Sequence, residues 1–113
     1  MHLAGTEHGD VPAFVRRCGS DGVILYFENA GLSPVDLLRV LHRPRWAGWL
    51  DGLTGLLIGR SAATDARGAH EMRYSEALQD TLLGLPWPVL LDVDIGHLPT
   101  QFMRVNGALA TIS

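Results

Sequence analysis

The chain has 113 residues, 47% hydrophobic and 19% charged, which suits one globular domain, 1–113, and argues against a disordered chain or two domains. Nine basic and twelve acidic residues are interspersed, for a formal charge of −3, a poor match to nucleic acid or an anionic membrane. No apolar run approaches the roughly 18 residues of a membrane span, and the opening MHLAGTEHGD lacks a signal-peptide pattern, so a cytoplasmic protein is expected.

Val11 to Arg17 is a short segment whose type the pattern leaves open. Cys18 is the only cysteine, so no internal disulfide can form and a reduced compartment fits. Gly19-Ser20-Asp21-Gly22 is turn chemistry. Val23 to Phe27, rich in β-branched and aromatic residues, predicts a strand buried on both faces that ends abruptly at Glu28-Asn29. Ser33 suits a helix cap, Pro34 the first helical position, and Asp36 follows three residues after the cap. Leu37, Leu38, Val40 and Leu41 supply an apolar face, and Pro44 is expected to end or kink this helix near His42.

Leu53 to Ile58 predicts the next strand, closed by Gly59-Arg60. The small and polar residues from Ser61 to His70 read as a loop of a length that often carries function. Glu71 to Leu83 has helical spacing with Gly84 as its C-cap. Pro86 to Val93 predicts another buried strand. From Gln101 to Ile112 two short strands are expected, turned at Asn106-Gly107.

Two polar residues stand out because each follows a buried strand: Glu28, and His97 after VLLDV. Strand ends hold side chains on a rigid scaffold at the mouth of a cleft, a common place for sites. His97 has two readings on this ground, a functional group or a solvent-exposed turn histidine. A metal site is not expected, since His2, His8, His42, His70 and His97 show no H-x-x-x-H or H-E-x-x-H spacing and Cys18 has no second thiol. No phosphate-binding glycine loop precedes a helix, so no cofactor is expected. Asp92 and Asp94 alternate along a strand end without the character of a glycosidase pair.

The segment GVILYFENAGLSPVDLLRVLHRPRWAGWLDGLTGLLIGR, followed by PVLLDVDIGH, resembles the C-terminal domain of the LD-carboxypeptidase family, serine peptidases that include the microcin C self-immunity peptidases. The resemblance runs from about Gly9 to the C-terminus. It implies an α/β fold: a swivelling β/β/α-type domain with a mixed sheet. In that family an N-terminal α/β domain supplies the serine nucleophile and the oxyanion hole, and the C-terminal domain supplies the glutamate and histidine of a Ser-His-Glu triad. By position Glu28 matches the glutamate and His97 the histidine. Histidine, with an ordinary pKa of about 6.5, can take a serine proton and return it to a leaving amine, while a carboxylate on the other ring nitrogen fixes the tautomer.

The sequence departs from the family pattern at Asn29, where another acidic residue is usual, and at Pro44, where the helix generally continues. Ser20, Ser33, Ser61, Ser75 and Ser113 include no serine on a strand-to-helix elbow. The chain is therefore read as a partial domain whose partner is a serine-bearing domain and whose substrate is a murein tetrapeptide or related peptide. It is expected to be inactive alone and prone to self-association through Trp46, Trp49, Phe102 and Met103. The alternative is a catalytically inactive relict or partner-binding domain.

Overall fold

A computed structural model describes residues 2–112. The opening segment forms a 3-10 turn at Glu7–Gly9 and then helix α1, Val11–Cys18. The segment of open type is thus a helix, and its caps explain why. Asp10 accepts the Ala13 N–H at 2.8 Å, Pro12 sits in the first turn, and Arg16 and Arg17 lie against the negative end of the helix dipole. A second 3-10 turn, Gly19–Asp21, leads to strand β1, Ile24–Phe27.

Helix α2 spans Pro34–Trp46 and starts as its sequence predicts, with Ser33 Oγ accepting the Asp36 N–H at 3.3 Å. It does not stop near His42. Pro44 lies in the last turn, where losing one main-chain donor removes little, and its ring is almost fully buried. The Pro44 carbonyl accepts the Trp49 N–H at 2.9 Å, which carries the chain out of the helix.

Strand β2 is Gly55–Gly59, helix α3 is Tyr74–Leu82 and strand β3 is Val89–Val93. Helix α3 begins later than the spacing predicts because Asp65 accepts the Tyr74 N–H at 2.8 Å and Glu76 accepts the Arg73 N–H at 2.6 Å. These bonds hold the residues just before Tyr74 in the loop. Gly84 closes the helix with φ +83°, a left-handed conformation that other residues adopt at a cost.

The three strands form one sheet in the order β1-β2-β3, with both pairings parallel. The α/β class expected from the resemblance holds, though the described strands are parallel throughout rather than mixed. Each parallel pair is joined through a helix, α2 and then α3, and these two helices pack on each other. Leu56 and Ile58 of β2 meet Leu37 and Leu41 of α2 and Leu78 of α3 in one core cluster. Burying each such side chain contributes roughly 1.5–3 kcal/mol.

Only β2 is buried on both faces. Strands β1 and β3 were expected to be buried as well, but they are the two edges, and each is only partly covered. Tyr26 on β1 and Leu90 and Leu91 on β3 are exposed. The tail also differs from expectation. Gly107 takes φ +76° and Ala108 N–H reaches the Val105 carbonyl at 3.3 Å, so the turn forms, but no strands flank it. With both β1 and β3 half-covered, alternating apolar residues in the tail have no buried sheet face to join.

Candidate active site

In a parallel sheet joined by helices, all strands end at the same edge, where side chains just past the strands face one crevice. Glu28 follows β1, Arg60 follows β2, and Asp94 follows β3. His97 comes three residues further on. Residues far apart in the chain are thereby gathered at one end of the sheet.

Glu28 Oε1 and His97 Nδ1 lie 2.7 Å apart. The Glu28 side chain is 20% exposed and that of His97 67% exposed, so the carboxylate sits below a ring that opens to solvent. Facing an ionised carboxylate, which can only accept, Nδ1 is the donor, its N–H hydrogen-bonded to Glu28 Oε1. Nε2, which in the neutral ring of that tautomer has the lone pair, makes no hydrogen bond to another described side chain or to the main chain.

Two glycines make room for the carboxylate. A Cβ on Gly96 would stand 2.6 Å from Glu28 Cγ and 2.8 Å from Cδ, and one on Gly59 would stand 2.8 Å from Glu28 Cβ. Glu28 is thus packed between the end of β2 and the loop after β3. Gly96 also has φ +105°, which favours glycine independently of the space.

The loop itself is set up by a bulge. Leu57 pairs with Leu90 but Gly59 pairs with Val93, so β3 spends one more residue than β2 over this stretch. Asp92 adopts φ +56° there, a conformation tolerated better by aspartate than by most residues. Beyond the bulge, Ile95 is buried against Gly59, and Asp94 forms an ion pair with Arg60 at 2.8 Å. Asp92 and Asp94 therefore part company: one shapes the strand end and the other binds a guanidinium.

Asn29, where the family pattern favours an acidic residue, is buried and fully used. Its amide nitrogen donates to the Leu32 carbonyl at 2.9 Å and to Ser61 Oγ at 3.1 Å, and its oxygen accepts the Leu32 N–H at 2.9 Å. Its main-chain carbonyl takes the Ala62 N–H at 2.8 Å. Asn29 therefore ties the loop after β1 to the loop after β2, directly behind Glu28. A charged carboxylate could not donate these two bonds.

Tyr74, at the start of α3, adds a half-buried phenol. Burial pushes its pKa up from 10.0 to about 12, with the Asp92 and then the Glu28 charge adding to the effect. The Tyr74 hydroxyl and Glu28 Oε2 are both buried atoms without a protein partner.

Glu28 and His97, the two residues singled out in the sequence, are brought together. Arg60, Asn29, Tyr74, Gly59 and Gly96 were not picked out as site residues. Arg60 alone carried a usable signal, since it follows an apolar strand just as Glu28 does. Of the apolar residues expected on the surface, Trp46, Phe102 and Met103 are exposed, whereas Trp49 is partly buried and donates its Nε1–H to the Gly9 carbonyl at 2.7 Å. Among the described residues, no group of three or more His, Cys, Asp or Glu side chains could hold a metal ion, and no helix is long and apolar enough to cross a membrane.

The family model described as the LD-carboxypeptidase C-terminal domain matches residues 1–112. The chain belongs to this family. A Streptomyces coelicolor relative, named "Putative carboxypeptidase SCO6489", is 34% identical over 93 residues, which is 82% of this chain and 26% of the relative. The chain thus spans about a quarter of the length of that curated relative. Among solved structures, a muramoyltetrapeptide carboxypeptidase from Oxalobacter formigenes is similar with a TM-score of 0.60 at 19% identity, over 80% of this chain and 34% of that one. The microcin C7 self immunity protein MccF, in an inactive-mutant apo state, gives a TM-score of 0.53 at 22% identity, over 64% of this chain and 21% of its own. At such identities these two structures speak for the fold. This LD-carboxypeptidase C-terminal domain shares it with both.

Proposed function

We propose that this domain supplies the Glu28 and His97 of a Ser-His-Glu triad in a cytoplasmic serine peptidase that cleaves an amide bond to a D-amino acid in murein peptides. The observation that carries the reading is the 2.7 Å contact between Nδ1 and Oε1, which leaves Nε2 on a solvent-exposed ring. In this reading Nε2 takes the proton from a serine hydroxyl as its oxygen attacks the substrate carbonyl. The resulting imidazolium, stabilised by Glu28, passes the proton to the departing amine of the D-amino acid. Water then repeats the cycle on the acyl-serine, with Nε2 as its base.

The serine and the oxyanion donors belong to a partner α/β domain. Exposed Phe102 and Met103, only a few residues beyond His97, provide an apolar surface for such a domain or for a second copy of this chain. The isolated 113-residue chain is then inactive, because a dyad without a nucleophile has no covalent route.

The experiment measures D-alanine release from a murein tetrapeptide by the chain alone and with an LD-carboxypeptidase N-terminal domain added. Turnover is expected only in the mixture, and His97→Ala is expected to lower it by at least about 10⁴-fold. Release by the chain alone that survives His97→Ala refutes the assignment. A mixture that forms a stable complex yet stays inactive favours the alternative, a partner-binding domain without catalysis.

A further inference from the structure

Arg60 takes no part in the proton path just described, yet its guanidinium sits at the centre of the loop that carries His97. A single nitrogen, Nη2, lies 2.8 Å from Asp94 Oδ1, 2.8 Å from the Thr100 carbonyl and 3.4 Å from the Leu98 carbonyl. These acceptors bracket His97 in the chain, one before it and two after. The Arg60 main-chain N–H also reaches the Val93 carbonyl at 3.4 Å, which ties its root to the strand from which the loop departs.

The loop has other closures, but they differ in what they join. Phe102 N–H bonds the Asp94 carbonyl at 2.7 Å, and the Gln101 side chain donates to the Gly96 carbonyl. Both connect the loop to itself, and Ile95, buried against Gly59, seats its first residues on β2. Arg60 connects the far part, Leu98 and Thr100, to β2, the strand buried along its whole length. The bond to Glu28 cannot replace this anchor, because one hydrogen bond locates one ring atom and leaves the ring plane and the main chain beneath it undetermined.

We infer that Arg60 is the positioning residue for His97, holding loop 94–100 closed around its guanidinium so that Nδ1 stays on Glu28. The inference rests on the reading of Glu28 and His97 as a working pair. A guanidinium suits the task because its rigid plane fixes the position of Nη2 and it stays charged, whereas an ammonium is a compact, strongly hydrated point charge on a flexible stem.

The test is nitrogen-detected imidazole NMR on the 113-residue chain at one neutral pH, comparing wild type, Arg60→Met, Arg60→Lys and Glu28→Ala. Wild-type His97 is expected in the Nδ1–H form with a slowly exchanging ring proton, and His2, His8, His42 and His70 serve as internal references. Arg60→Met, with circular dichroism unchanged, is expected to lose that signature and to speed amide exchange at Phe102 by about ten-fold or more. If Arg60→Met does not fold, Arg60→Lys decides: loss of the signature in a folded chain supports the clamp. A His97 signature that persists in either folded variant overturns it.

Glu28→Ala separates the two ideas. If it leaves the wild-type signature intact, Glu28 does not orient His97 and the catalytic pair falls. Phe102 exchange in the Arg60 variants still reads the clamp in that case, and unchanged exchange there overturns it too.

Discussion

Loop 94–100 and the tail 101–112 adjoin in the chain, lack regular structure, and differ in almost every physical respect. The loop has a charge at its centre, a buried isoleucine and two glycine contacts beneath it. The tail presents Phe102 at 62% exposure, Met103 at 95% and Leu109 at 86%, and beyond Phe102 its one described side-chain tether runs from Tyr26 Oη to Asn106 Oδ1 at 2.6 Å. The apolar stretch is the loosely tied one, and the polar stretch is firmly held. Hydrophobicity orders a segment only where a core face is available to receive it, and the sheet offers the tail an edge strand, leaving an open groove of about 800 Å³ between Phe14, Tyr26 and the tail's own Ile112.

The largest expected effect comes from breaking the held region. Gly96→Ala adds a Cβ where Glu28 stands 2.6 Å away and imposes a non-glycine residue at φ +105°. Unfolding by urea is expected to show a loss of about 2–5 kcal/mol, from backbone strain and overpacking together. A loss under about 0.5 kcal/mol, the range of an ordinary surface change, would mean that the loop is not packed against Glu28 as described.

A second, pH-dependent effect sharpens the same contrast. Tyr74 is raised from its ordinary 10.0 to about 12 by burial and by the Asp92 and Glu28 charges, so the folded state holds this proton more tightly than the unfolded one. Its contribution is full below pH 10 and is lost as pH rises toward 12, because unfolding then releases a proton. Melting temperature is expected to fall across that window, and Tyr74→Phe is expected to flatten the slope. An ultraviolet titration in which Tyr74 ionises near 10 would contradict this.

The smallest effect is expected in the tail. Met103→Ser is expected to change the stability of the isolated chain by no more than about 0.5 kcal/mol, because nothing packs on that side chain. Sedimentation velocity at high concentration is expected to show weaker self-association. A large drop in stability would place Met103 in the core and abolish the distinction between loop and tail.

Much of this architecture was legible in the chain. Ser33-Pro34 marked the start of α2, Gly84 the end of α3, and the apolar runs marked the three strands. Glu28 and His97 were visible because each breaks an apolar pattern at a strand end. What was misjudged has a common cause: VILYF, GLLIG and PVLLDV look alike as runs of apolar residues, yet only the central one is buried throughout. Strand order decides which strand is central, and periodicity carries no information about neighbours.

The sequence by itself determined the start of α2, the end of α3 and the apolar runs that became strands, since caps, turn residues and apolar spacing act over a few positions, while the α/β class followed from the family resemblance. Only the tertiary structure decided the rest. Parallel pairing brought Glu28 to within 2.7 Å of His97 across 69 positions, and the bulge at Asp92 set Asp94 against Arg60. Gly59 looked like the close of a strand in the chain and, with Gly96, proved to be the space in which the Glu28 side chain sits. Such contacts depend on how strands are ordered and registered, and that is settled by the packing of the whole sheet.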